Sequence, residues 1–181
     1  DFARLRDTTL ADWIATTCAF PDSMVDRITP ASTDATFAEV RDTTGRDDPL
    51  AVETEPFRQW VIEDRFAGPR PNREMPGAPI VAEVAPSEVM KLRLLNGSHS
   101  LIAYLGAVVG LVAVRDVVSG PALRGLVSAQ MRATAATLLA ISPGFDPERC
   151  ASDLIHRFEN PAIRHLCLQI AADGSQKLPP R

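Results

Sequence analysis

Lysine is nearly absent from this 181-residue chain: of its 19 basic residues 17 are Arg, and only Lys91 and Lys177 are Lys. Arg keeps its proton in a protein, whereas a partly buried Lys can release one near neutral pH, so the two lysines are the suspects for proton chemistry. Tyrosine occurs once, at Tyr104, and residue 108 is Val, which excludes a Tyr-x-x-x-Lys proton relay. Cysteine occurs three times, at Cys18, Cys150 and Cys167, without a C-x-x-C pair. An odd, scattered set argues against a disulfide framework and a structural zinc site, and it fits a reducing cytoplasm. Only His165 and Cys167 approach ligand-like spacing, so no bound metal is expected.

Positive charge is also short. The formal net charge is −4 with both signs spread along the chain, which leaves no basic footprint for a nucleic-acid backbone. The longest apolar run, Leu101 to Val114, is shorter than the about 20 residues a membrane span needs, so it reads as a buried core helix. The first residues carry no initiator Met and no charged segment followed by an apolar one, so no signal peptide is expected there. A glycine-rich G-x-G turn between strand and helix is missing, as are internal repeats and heptads.

What the chain does have is 45% apolar content, enough at this length to bury roughly two-thirds of the surface the unfolded chain would expose. Capping residues and apolar spacing predict helices over 9–18 and 32–40, with an extended or looped segment at 24–30 between them. Residues 51–63 have a strand-like composition around Pro56. A Pro/Gly-rich connector at 67–79 precedes a short strand, Ile80-Val81-Ala82. Helices are then predicted from Pro86, over 121–139, over 147–158 and from Asn160-Pro161 to about Ala172, with Asn96-Gly97-Ser98 breaking the propensity of the first. The downstream two-thirds therefore reads as helical, and the first third as irregular with some strand.

One stretch carries candidate chemistry: Lys91-Leu92-Arg93-Leu94-Leu95-Asn96-Gly97-Ser98-His99-Ser100. At about 100° per residue, Lys91, Asn96 and His99 fall at roughly 0°, 140° and 80° around a helix, close enough to face one cavity. The bland alternative makes Lys91 a solvated charge, Asn96 a kink residue and His99 a satisfied core histidine. Asp22 and Asp26 read as turn and cap residues, and Glu55, Glu63 and Asp64 as structural, with Arg58 able to tie one of them down. Arg27 and Arg93 offer bidentate forks for a carboxylate or phosphate, or else for a salt bridge.

Four segments together resemble the long-chain mannitol dehydrogenase family, which includes mannitol 2-dehydrogenase, arabinitol dehydrogenase and the mannonate oxidoreductases, also called fructuronate reductases. They are F-P-D-S-M-V-D-R-I-T-P (20–30), E-P-F-R-Q-W-V-I-E-D (55–64), K-L-R-L-L-N-G-S-H-S (91–100) and D-G-S-Q-K-L-P (173–179). The resemblance implies a mainly α fold: the helical C-terminal domain of a two-domain dehydrogenase, with a strand-containing N-terminal segment left over from its Rossmann-type domain. On that view residues 1–80 bridge to an absent dinucleotide-binding domain, and residues 81–181 form a helical catalytic domain truncated at its C-terminus.

The implied reaction is metal-independent hydride transfer between NAD, or NADP, and the carbinol carbon of a linear polyol or sugar acid. Lys91 would be the acid/base, with Asn96 and His99 holding the reacting oxygen. Lys177, Gln169 and Arg93 would sit on the substrate side, Asp26 and Arg27 on the cofactor side. Where mannitol dehydrogenases have Arg, this chain has Gln169, which resembles the mannonate oxidoreductase branch. The expected partners are the small substrate and the cofactor, without nucleic acid or membrane, in a cytoplasmic monomer or homodimer. The rival expectation is a non-catalytic helical interaction or dimerisation module that kept the motifs.

Overall fold

The computed structural model describes residues 2–70, 78–138, 146–172 and 174. Most of them are helical, with one small sheet, and Cα packing groups the chain into two units. One comprises residues 1–25 and 59–85, the other 26–58 and 86–181. Residues 26–58 thus fold with the helical part, whereas sequence alone divides the chain near residue 80.

The smaller unit begins with α1 (Phe2–Arg6) and α2 (Thr8–Thr17). The cap of α2 is Asp7, whose carboxylate accepts from Thr9 N at 2.8 Å and Leu10 N at 3.1 Å, satisfying donors that the first turn leaves orphaned. A three-stranded sheet follows in the order β1 (Ser23–Asp26), β2 (Gln59–Glu63), β3 (Ile80–Val81), with β2 and β3 parallel and Ile62 opposite Ile80. Met24, Val61 and Val84 form a small buried cluster with Val81 packed against it.

The larger unit contains α3 (Asp34–Thr44), capped reciprocally by Thr33 and Thr36 and ended by Gly45 at φ +70°. Its helical body runs α4 (Ala85–Met90), a π-helical segment (Lys91–Asn96), α5 (Gly97–Val109), α6 (Val114–Ser119), α7 (Pro121–Ala136), α8 (Pro147–Phe158) and α9 (Cys167–Ala171). Helix α5 is central, packing on α6, α7 and α9. Leu94, Ile102, Ala103, Val117, Val118, Val127 and Met131 are fully buried at the heart of the core.

Two expectations fail here. The apolar run 101–114 is not one buried helix, because Gly110 takes a left-handed conformation at φ +76° and ends α5 at Val109, leaving Val108, Val109 and Val112 exposed. Nor does a helix run from Asn160 to Ala172. The Asn160 side chain turns the backbone by accepting from Ala162 N at 3.0 Å, and Leu166 bridges Ala113 in extended pairing, so only Cys167–Ala171 is helical. Among the described residues, no helix is long and apolar enough to cross a membrane.

Candidate active site

Lys91 and Asn96 are the first and last residues of the π-helical segment, both half-buried. A π turn closes from residue i to i+5, and Gly97 N accordingly donates to Leu92 O, as well as to Leu94 O. With about 4.4 residues per turn, Asn96 lies roughly 50° around from Lys91 instead of about 140°, and His99, three α-helical steps on, lies roughly 10° to the other side. The three residues therefore share one face of the helix more closely than an α-helix would allow. Leu94 and Leu95 point into the core and anchor the segment.

Downstream, the chain is held by polar ties. Ser98 is fully buried and its hydroxyl donates to Gln130 Oε1 at 2.9 Å, while Gln130 Nε2 donates to Thr134 on the same helix, α7. His99 is 8% exposed. Its ring lies 4.6 Å from Phe158 and 5.1 Å from His165, centroid to centroid, the latter edge-on at 78°. Nδ1 of His165 is buried with no hydrogen-bond partner among the described residues, and burial lowers the pKa of this imidazole from 6.5, keeping it neutral.

Asp26 occupies a different setting. It is 7% exposed, and Arg157 donates to its two carboxylate oxygens at 3.0 and 2.7 Å. The same guanidinium donates to both oxygens of Glu55 at 3.0 and 2.7 Å, and its carbon sits 4.0 Å from the centre of the Phe57 ring. Burial works against the Arg157 charge, but the hydrogen bonds to Asp26 and Glu55 outweigh it and raise its pKa beyond the ordinary arginine value. Glu55 Oε1 also accepts from Ile28 N at 2.6 Å, and the exposed Arg27 donates from Nε to Glu55 O at 3.0 Å.

The partner that ties Glu55 down is therefore Arg157 rather than Arg58. Sequence reasoning passed over Arg157, Phe158 and the contact of His165 with His99. No local pattern marks them, since Arg157 lies 131 residues from Asp26 and 102 from Glu55.

Of the remaining predicted residues, Arg93 is half-buried on the π-helical segment and Gln169 is exposed on α9. Lys177 lies outside the described residues, as does all of the 173–179 motif except Gly174. A cleft lined by Arg115, Asp116, Ile163 and Arg164 does not include Lys91, Asn96 or His99. Among the described residues, no group of three or more His, Cys, Asp or Glu is placed to hold a metal ion. Cys167 Sγ is packed under Gly106. Burial, aided by Asp153, pushes the Cys150 thiol up to about 11, so it is protonated and a poor nucleophile at neutral pH.

Residues 83–181 match the mannitol dehydrogenase C-terminal domain, and residues 2–75 match the mannitol dehydrogenase Rossmann domain. The chain belongs to the mannitol dehydrogenase family. It is 50% identical over 179 residues to the D-mannonate oxidoreductase of Escherichia coli (strain K12), covering 99% of this chain and 37% of that protein. Among solved structures it resembles the Pseudomonas fluorescens mannitol 2-dehydrogenase ternary complex with NAD and D-mannitol, with a TM-score of 0.85 and 39% identity over 98% of this chain and 36% of that one. It also resembles a substrate-free D-sorbitol dehydrogenase, with a TM-score of 0.87 and 36% identity over 98% of this chain and 37% of that one. The chain thus spans a little over a third of the length of these relatives.

Proposed function

We propose that this chain supplies the acid/base side of a metal-independent, NAD(P)-dependent dehydrogenase acting on a linear sugar acid or polyol. The observation that carries this reading is the π turn, which brings the backbone positions of Lys91 and Asn96 to one face with His99 next to them. A cation, an amide and an imidazole on one helix face can bind one oxygen atom and exchange its proton, and a D-mannonate oxidoreductase and a mannitol 2-dehydrogenase among the relatives agree with such a substrate.

In the oxidation direction Lys91 takes the hydroxyl proton while Asn96 and His99 hydrogen-bond the same oxygen, stabilising the alkoxide that develops. In reduction Lys91 returns the proton to the carbonyl oxygen. The nicotinamide cofactor, when bound, accepts or supplies the hydride at the carbinol carbon.

The residues present fit one edge of that cofactor. Arg27 is exposed and, among the described residues, is anchored through Nε, so its other N–H groups can meet an anion or a ribose, and Asp26 fixes the backbone next to it. No phosphate-cradling glycine turn occurs in the chain, so the pyrophosphate would be held by the rest of the enzyme. Residues 1–181 alone are accordingly proposed to bind NADH weakly and to turn over nothing.

Gln169, Arg93 and Lys177 are proposed on the substrate side. Glutamine at 169 favours a hexonate or keto-uronate such as fructuronate over mannitol, with Arg27 or Arg93 meeting the carboxylate. Lys91→Arg in the full-length enzyme tests the central assignment. Arg keeps the charge but cannot act as a base near neutral pH, so kcat should drop by about 10² or more, nearly as far as in Lys91→Ala. The pH step in the oxidation rate should vanish in Lys91→Ala and part of the activity should return with small added amines. If Lys91→Arg keeps more than about a tenth of native activity, Lys91 is not the base and His99 takes its place.

A further inference from the structure

Two consecutive residues at the end of α8 reach both sides of the proposed site. Arg157 grips Asp26 and Glu55, and Phe158 carries the ring of His99. The grip leaves little freedom in the segment it holds. Asp26 is bonded through both oxygens, Arg27 through Nε to Glu55 O, and Ile28 through N–H to the Glu55 carboxylate and through its carbonyl to Glu55 N at 3.2 Å. Three successive residues are therefore fastened to a single guanidinium and the one glutamate that it holds.

This cluster is poorly explained as a stabilising device. Two buried carboxylates share one cation, and buried ion pairs return little more than their desolvation costs, so replacing them with apolar residues is often neutral or favourable. What such a cluster does provide is a fixed geometry, because the planar fork of Arg bonds each carboxylate in only one orientation.

We infer that Arg157 is a positioning residue that sets the Asp26–Ile28 backbone, and with it Arg27, at a fixed place relative to His99. The inference rests on the proposed reading in which Asp26 and Arg27 face the cofactor and His99 faces the substrate. The Arg157 guanidinium is engaged by Asp26, Glu55 and the Phe57 ring, so it acts through the segment it holds. Its loss therefore acts on cofactor binding and leaves the proton step at Lys91 alone.

The test uses the full-length enzyme with NAD and D-mannonate or D-mannitol, well below its unfolding midpoint. Arg157→Lys keeps the charge and loses the fork. It should raise the KM for NAD about tenfold while kcat and its pH profile change by less than about threefold. Glu55→Gln, which removes one of the two anchors, should raise the same KM by a smaller factor and carries the test if Arg157→Lys does not fold. The double variant Arg157→Lys/Asp26→Asn should raise the NAD KM by less than the product of the two single effects, because part of the grip is already lost in Asp26→Asn, and a full product would overturn the inference. A purely structural role would lower the unfolding midpoint and leave the NAD KM within twofold, which overturns the inference. An unchanged NAD KM in Asp26→Asn and Arg27→Ala overturns the cofactor-side reading beneath it. A raised KM in those two with an unchanged one in Arg157→Lys overturns the inference alone.

Discussion

The imidazole of His99 rests on the ring of Phe158, with centroids 4.6 Å apart and planes tilted by 40°. Phe158 is 3% exposed at the end of α8, so it fills core volume and supports the histidine at once. Phe158→Ala should cost about 3–5 kcal/mol of stability, read as a lower denaturant midpoint of the full-length protein. Phe158→Leu keeps most of the apolar volume and should fold. Its activity should nevertheless fall through a higher substrate KM, because His99 loses the flat surface beneath it. Native kinetics in Phe158→Leu would show that the ring contact does nothing for the site.

His165 makes stability depend on pH. Burial holds its pKa below 6.5, so between the two values the unfolded chain binds the proton and the folded chain does not. The contribution is complete above about pH 6.5 and is lost as the pH falls through that value toward the folded one. Thermal unfolding of the native protein should therefore occur at lower temperature at pH 5.5 than at pH 7.5, and His165→Gln should show a smaller difference. Equal differences in the two proteins would remove His165 as the source.

Two glycines on α5 should respond in opposite ways to alanine. At Gly106 a Cβ would lie 2.6 Å from Cys167 Sγ and 2.9 Å from Val117 Cγ2, inside the packed core. Gly106→Ala should cost at least about 1–3 kcal/mol by overpacking. At Gly97 the nearest atoms are Gln130 Nε2 at 3.7 Å and Leu92 O at 3.8 Å, ordinary contact distances in a helical backbone. Gly97→Ala should leave the unfolding midpoint unchanged or raise it, by up to about 1 kcal/mol of helix propensity. A large destabilisation at Gly97 would mean that the π turn needs glycine to form.

Metal independence has a direct check. The full-length enzyme dialysed against a chelator should keep its rate, because the proposed proton transfer uses Lys91, Asn96 and His99 alone. Activity lost on dialysis and restored by zinc would sink the metal-free mechanism.

The local elements were legible where a single residue type enforces them. Pro147 starts α8, and the run to Phe158 has the spacing that predicts its end. A capped helix is legible from Ser32 to Val40, although Thr33 makes the cap and α3 runs from Asp34 to Thr44. Misreadings fell where tertiary contacts outweigh propensity. Val108, Val109 and Val112 look like core in the sequence and are exposed, and 160–166 looks helical but pairs Leu166 with Ala113. The sequence places the helix that carries the candidate site but not its pitch: nothing in the composition of 91–96 marks a turn closing at i+5.

The sequence by itself determined which groups could do chemistry. With Lys reduced to two residues and the motif K-x4-N-x2-H set on a helix, acid, amide and imidazole are given by identity and spacing, because covalent order fixes residue type and approximate azimuth. Only the tertiary structure decided how closely those groups converge and what holds them. The π turn closes locally between Leu92 and Gly97, but the ring of Phe158 under His99 and the grip of Arg157 on Asp26 and Glu55 join residues up to 131 positions apart. Such contacts form because a buried charge or ring must find a partner somewhere in the folded chain, and no local pattern says which one.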